Sequence, residues 1–352
     1  METFELLGII LGIVIGIILL YLIIVIFFPG FKVEKQALAV SESKAKDMTD
    51  KLFGLRKDLS FDAGGMQIRA WLYLPQDLTA SVPCIIMNHG CGGTKDMVLQ
   101  SYALRFQKAG FASLVYDYRH FGESEGKPRQ LFSFSSQLED CKAAIAFVRS
   151  LKQINPDKIA IWGTSAGGGY GLAIAAQNKS DEKIACVCAQ CASLDTHMDV
   201  AMAFKREGPK FFLRLFMHAQ RDKGRSRFGL SAHKIPIVGK PGSLAMITAP
   251  QALKAYTELA QPGFINEVCA RYFLTSTEFS PIDHAKDVQC PVLIQICEKD
   301  NLVSMSSALK TAKILGKYAE VKRYPIGHFD IYSGEHFERS VEDQVEFFKK
   351  HL

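Results

Sequence analysis

Chemistry in this chain centres on five residues, Gly163-Thr164-Ser165-Ala166-Gly167. A serine hydroxyl is a weak nucleophile until a neighbouring base takes its proton during attack. Glycine two places before and two places after lets the backbone turn sharply, and no side chain stands there to collide. The serine between them is held in a strained conformation. The string follows the apolar run Lys158–Trp162 and opens Gly168–Gln177, a stretch of small residues with helical character. A serine raised on such a strand–turn–helix bend suits covalent acyl chemistry; a passive serine in a glycine-rich turn is the plain alternative. The chemistry also requires a base, a group that orients the base, and donors for charge developing on a substrate oxygen.

In that context the chain resembles the α/β-hydrolase superfamily, over nearly all of residues 58–352 and least well at about 195–285. The resemblance implies an α/β fold with a mostly parallel eight-stranded sheet, helices on both faces and a helical cap inserted at about 195–285. It also implies partners for Ser165. His89-Gly90-Cys91-Gly92-Gly93 ends the apolar run Cys84–Met87 where the family keeps its oxyanion loop. The N–H groups of Cys91 and Ala166 would form the hole, helped by the positive end of the helix after Ser165. A thiol role for Cys91 finds no support nearby.

The family's chain order of nucleophile, acid and base points to Asp300, after Pro291–Ile296, and to His328, after Val321–Tyr324. Glu298 and Asp195 are rival acids, His336 and His351 read as solvated, and His284 reads as structural. Tyr116 to Ser124 is similar to the family's Asp-x-Arg-Gly-x-Gly-x-Ser loop, with His120 where glycine is usual. There it could touch substrate or serve backbone packing. Within the superfamily, the short cap and loop pattern look like the dienelactone-hydrolase and Xaa-Pro-dipeptidyl-peptidase-like group. That group includes esterases, peptidases and enzymes that pass polyketide acyl chains to alcohols. Serine at the elbow counts against dienelactone hydrolysis itself. The resemblance therefore implies a serine hydrolase for an ester or thioester of an acyl or lipid-like substrate, needing neither metal nor cofactor. Acyl transfer, peptidase action and a non-catalytic membrane scaffold are the alternatives.

The elements that must carry these residues show as short apolar runs alternating with amphipathic segments such as Val98–Lys108, Gln137–Leu151 and Ser304–Leu315. Ala63-Gly64-Gly65 marks a hairpin between the first two runs. Strands alternating with helices predict a parallel sheet covered on both faces. Between Cys191 and Cys290 the alternation stops and the pattern becomes largely helical.

Ahead of this domain, Leu6–Phe28 is a run of 23 residues without charge. As a helix it spans about 35 Å, enough to cross a bilayer core. Glu2 and Glu5 precede it with no Lys or Arg, and no small-residue cleavage site follows, so an uncleaved anchor over 1–30 fits better than a signal peptide. Residues 31–57 read as a charged tether. Lys32, Lys35, Lys44 and other basic residues follow the span, which predicts a cytoplasmic catalytic domain. Nine cysteines without zinc-type spacing agree with a reducing compartment; the sequon Asn178-Lys179-Ser180 argues the other way. Gly8, Gly12 and Gly16, four apart, could pair two such helices in a homodimer.

The net charge of +6 argues for no nucleic-acid partner. It is distributed unevenly: residues 201–240 hold ten basic residues against Glu207 and Asp222 alone, with Phe211, Phe212 and Phe216 among them. That mixture suits an anionic lipid surface or an acidic substrate with an apolar tail, and equally a solubilising helix packed by its apolar side.

Overall fold

The computed structural model describes residues 2–27, 32–35, 38, 56–76, 78, 80–177 and 183–352. Most of the expected tether, the end of the expected anchor at Phe28 to Gly30, and the sequon at Asn178 lie outside the described residues.

Helix α1 (Glu2–Phe27) carries no charge after Glu5 and is long and apolar enough to cross a membrane. The domain that follows opens with the hairpin β1 (Arg56–Ala63) and β2 (Met66–Tyr73). Strands β3 (Val82–Asn88), β4 (Ala112–Tyr116), β5 (Ile154–Thr164) and β6 (Cys186–Gln190) are linked by helices α2 (Leu99–Lys108), α3 (Phe134–Arg149) and α4 (Ala166–Ala175). After β6 comes a long insertion. It contains α5 (Thr196–Arg227), the two-residue strands β7 (Lys234–Ile235) and β8 (Val268–Cys269), and α6 (Ala252–Leu259). The sheet resumes with β9 (Val292–Cys297), α7 (Met305–Leu315), β10 (Ala319–Tyr324) and α8 (Gly334–His351).

Eight strands form one sheet in the order β1-β2-β4-β3-β5-β6-β9-β10. The pairings of β1 with β2 and β2 with β4 are antiparallel, and every other pairing is parallel. The unbroken apolar runs of the central strands follow from burial on both faces. In β3, Cys84 and Ile86 enter one core with α3, α4 and α7, while Ile85 and Met87 enter the other with α2 and α8. Ile161 and Trp162 of β5 divide the same way, as alternation along a strand requires.

Strand β5 is longer than the run Lys158–Trp162, because an irregular stretch lets Ile154 pair with Val82 before the regular register begins at Cys84. The insertion is not free of strands: β7 and β8 pair antiparallel and help close a third core of its own, including Leu215, Ile235, Ile237 and Tyr256. Helix α5 is two helices joined at Gly208, whose φ of 79° with Pro209 after it breaks the run.

Candidate active site

Strand β5 ends at the elbow, and Ser165 there has φ 55° and ψ −123°, outside the comfortable range for a side-chain-bearing residue. The flanking glycines are demanded by contact. A Cβ on Gly163 would lie 2.2 Å from the carbonyl oxygen of Gly167, and one on Gly167 would lie 2.3 Å from that of Asn88. The Ser165 N–H donates to Gln190 at 3.0 Å, and its carbonyl accepts from Gly168 at 3.2 Å and Ser193 at 3.0 Å. The bend is thereby fastened to the end of β6.

The loop after β3 passes directly over the nucleophile: a Cβ on Gly90 would stand 3.1 Å from that of Ser165. The Cys91 N–H has no backbone partner among the described residues. The Ala166 N–H begins α4, where no preceding turn can accept it. Two amide donors thus flank Ser165. The carbonyl of Cys91 is held by the hydroxyl of Tyr256 on α6, at 2.7 Å. Burial pushes the Cys91 thiol up to about 12, leaving it protonated and a poor nucleophile.

His328 and Asp300 meet from the loops after β10 and β9. His328 Nδ1 lies 2.6 Å from Asp300 Oδ2, and Asp300 Oδ1 accepts the N–H groups of Leu302 at 2.7 Å and Val303 at 3.0 Å. Burial alone would lower the imidazole pKa, but the adjoining Asp300 carboxylate overrides it and the value rises to about 9. The rivals are engaged elsewhere. Glu298 pairs with Arg323 at 2.8 Å, and Asp195 caps α5 by accepting the Met198 N–H at 3.2 Å. His120 is buried with φ 72°, a conformation that explains why glycine is usual there, and its backbone bonds to Glu125 and Gln130. Its place is in the packing of its loop.

Ser165 and His328 line one small cavity of about 60 Å³ with Met97, Leu302 and Tyr332. No hydrogen bond joins them directly, the looser state common to unliganded nucleophile–base pairs. A second cavity of about 180 Å³ runs from Ser165 and Cys91 beneath the insertion, with Phe211, Phe212, Leu215, Tyr272 and Phe273 on its walls. On that wall Asp199 was not singled out from the sequence, while Arg206 and Glu207 entered only as members of the charged segment 201–240. Asp199 accepts the Ser193 hydroxyl at 2.6 Å and the Ser304 N–H at 2.9 Å, and burial raises its pKa to about 7. Arg206 pairs with Glu207 at 2.8 Å and donates to the carbonyl of Asn301, at 2.8 Å, joining the insertion to the loop that carries Asp300. For Asp199 the only signal in the sequence is position, on the helix that starts at Asp195.

Residues 80–332 match the family described as serine aminopeptidase, S33. The chain belongs to that family of α/β hydrolases. It is 41% identical over 295 residues to the quorum-quenching protein AidA of Acinetobacter baumannii, covering 83% of this chain and 94% of the relative. It is 27% identical over 310 residues to the polyketide transferase ATR5 of Stachybotrys chlorohalonatus, covering 84% and 98%. Among solved structures it is similar to the α/β hydrolase GrgF of a Penicillium species, with TM-score 0.72 and 24% identity over 84% of this chain and 99% of the other. As a member of this hydrolase family the chain is a serine hydrolase enzyme with the α/β-hydrolase fold.

Proposed function

We propose that this enzyme is anchored in a membrane by α1 and cleaves an ester or thioester of a lipid-like acyl substrate through an acyl-enzyme on Ser165. The observation that carries the reading is a strained serine at the mouth of an aromatic-walled cavity, facing the same space as a histidine held by a buried carboxylate.

In this mechanism neutral His328 takes the Ser165 proton as Oγ attacks the acyl carbon. The Cys91 and Ala166 amides receive the charge that appears on the acyl oxygen, and Asp300 steadies the imidazolium. His328 then protonates the leaving alcohol or thiol. Water, activated by the same histidine, releases the acid and restores Ser165. The larger cavity takes the acyl chain: its walls are apolar, and its few polar groups lie where a chain substituent could be oriented. The domain then divides into a floor, which performs the reaction, and a cap at about 195–285, which selects the acyl group.

An alcohol can replace water in the second half, and the relative named a polyketide transferase favours keeping that outcome open. We also place the enzyme nearest the dienelactone-hydrolase and Xaa-Pro-dipeptidyl-peptidase-like group, on the loop from Tyr116 to Ser124 and the short cap. The anchor reading rests on the length and apolarity of α1, and basic residues such as Lys32 and Lys35 after it favour a cytoplasmic domain.

A fluorophosphonate probe should label Ser165 in the folded enzyme and not in Ser165→Ala, as read by intact mass. Absence of an adduct on folded protein would overturn the mechanism. Long-chain esters, thioesters and aminoacyl amides, assayed with and without an added alcohol, separate hydrolase, transferase and peptidase outcomes.

A further inference from the structure

Helix α1 does not stop short of the domain; its last turn is seated on the second half of α5. Val25 and Ile26 are buried there, although residues 4–24 and Phe27 are exposed. Arg221 Nη1 donates to the carbonyls of Val25 at 2.8 Å and Ile26 at 3.2 Å, and Arg225 reaches the Ile26 carbonyl at 3.5 Å. Those carbonyls belong to a helix C-terminus, which has no further turn to satisfy them and carries the negative end of the dipole. Gly224 makes the approach possible, since a Cβ there would lie 2.4 Å from Ile26 Cγ1. Arg221 is therefore not the lipid-facing cation that its place in a basic segment suggests. It is buried as a cap on α1.

The face of α5 that α1 covers continues beyond the contact. Leu213 lies eleven residues before Gly224, about three turns, and so shares its face. Leu213 and the neighbouring Phe216 are exposed. At the other end, Phe27 of α1 packs against Phe228 with ring centroids 5.6 Å apart and planes tilted by 55°, and Phe228 and Leu230 are exposed as well. Through Phe27 and Phe228 the apolar surface of α1 thus continues onto the insertion. Arg214, Lys223 and Arg227 are exposed along the same helix and supply positive charge beside it. Leu215, nine residues from Gly224 and so on the opposite side, points into the substrate cavity.

We propose that this face of α5 is a membrane-seating surface: α1 clamps it at the bilayer, Leu213, Phe216, Phe228 and Leu230 enter the interface, and the exposed basic residues meet anionic headgroups. Helix α5 then has lipid on one side and the substrate cavity on the other. This orients the enzyme to draw its acyl substrate from the bilayer. The proposal rests on α1 being a membrane anchor.

The test uses the full chain in phosphatidylcholine vesicles with and without phosphatidylglycerol, supplied with a vesicle-dissolved long-chain ester or a water-soluble short ester. Leu213→Glu combined with Phe216→Glu should slow the embedded ester roughly tenfold or more, the scale expected when two large apolar side chains lose burial, while the short ester is unaffected. Omitting phosphatidylglycerol should slow the embedded ester alone, by about fivefold for each cation that loses its headgroup partner. Gly224→Leu, which displaces Ile26, should act like the double variant. Equal rates on both esters for the double variant and in both vesicles would overturn the seating surface. If alkaline carbonate releases the wild-type chain from the vesicles, the anchor reading itself fails; retention together with unchanged rates defeats the seating surface alone.

Discussion

Beneath Ser165 the contacts that fix the site are made by backbone. Ser165 bonds to Gln190, Gly168 and Ser193, Gly167 lies against the Asn88 carbonyl, and the strands below are buried on both faces. Above the cavity the insertion adds buried side-chain links to the short backbone pairing of β7 and β8. Fully buried Asp222 accepts the N–H groups of His233 and Arg271 and forms an ion pair with the Arg271 guanidinium at 2.6 Å. His218 and His233 share a hydrogen bond at 2.7 Å, and burial lowers both to about 4, so they are neutral at ordinary pH. A site fixed by backbone tolerates little variation in its glycines but much elsewhere. One fixed by a few buried charges depends on each of them. The floor is built for one reaction, and the roof can be altered by changing individual side chains to suit another acyl group.

The comparison breaks first at the nucleophile. Ser165→Ala should reduce turnover by about 10⁴-fold or more with little change in melting temperature, since alanine keeps the same backbone and Cβ and loses only the hydroxyl. Asp300→Asn should cost about 10⁴-fold through loss of the correct imidazole tautomer, whereas Glu298→Gln should change turnover less than about threefold, both read as kcat/KM. The same pair of variants sharpens the pH behaviour. His328 must be neutral to accept the proton, and its pKa of about 9 lies above the ordinary value. Activity should therefore rise with pH through that value, and Asp300→Asn should move the limb downward, because burial alone lowers the imidazole.

For the roof, Asp222→Ala leaves the half-buried Arg271 guanidinium and the His233 and Arg271 N–H groups without their acceptor, and should cost about 3 kcal/mol in urea unfolding, with turnover of a short soluble ester largely kept in the fraction that is folded. The smallest effect belongs to Arg206→Met, which loosens the link to Asn301. It should raise KM for a long acyl chain by roughly fivefold and leave the short ester unchanged, in keeping with one partly exposed charged hydrogen bond.

The sequence by itself carried the parts of this enzyme that depend on local backbone. The elbow at Ser165 was legible because only glycine survives where a Cβ would meet backbone atoms, and the sheet was legible because two-sided burial produces unbroken apolar runs. The apolar stretch of α1 was legible as an uncharged run, although the helix itself begins four residues earlier, at Glu2. The acid beside His328 was legible only through the chain order of the family, which pointed to Asp300; nothing local to the residue singles it out. Asp300, Glu298 and Asp195 all follow strands, and they differ in what distant chain brings to them: His328 from beyond β10, Arg323 from within it, and the first turn of α5. The tertiary structure also decided that Arg221 closes the end of α1 and that Asp199 and Arg206 border the cavity. A side chain's type and the path of its own backbone are written locally, but its partner is whatever the fold places within about 3 Å, and that can lie 28 positions away, as His328 does from Asp300, or 196, as Val25 does from Arg221.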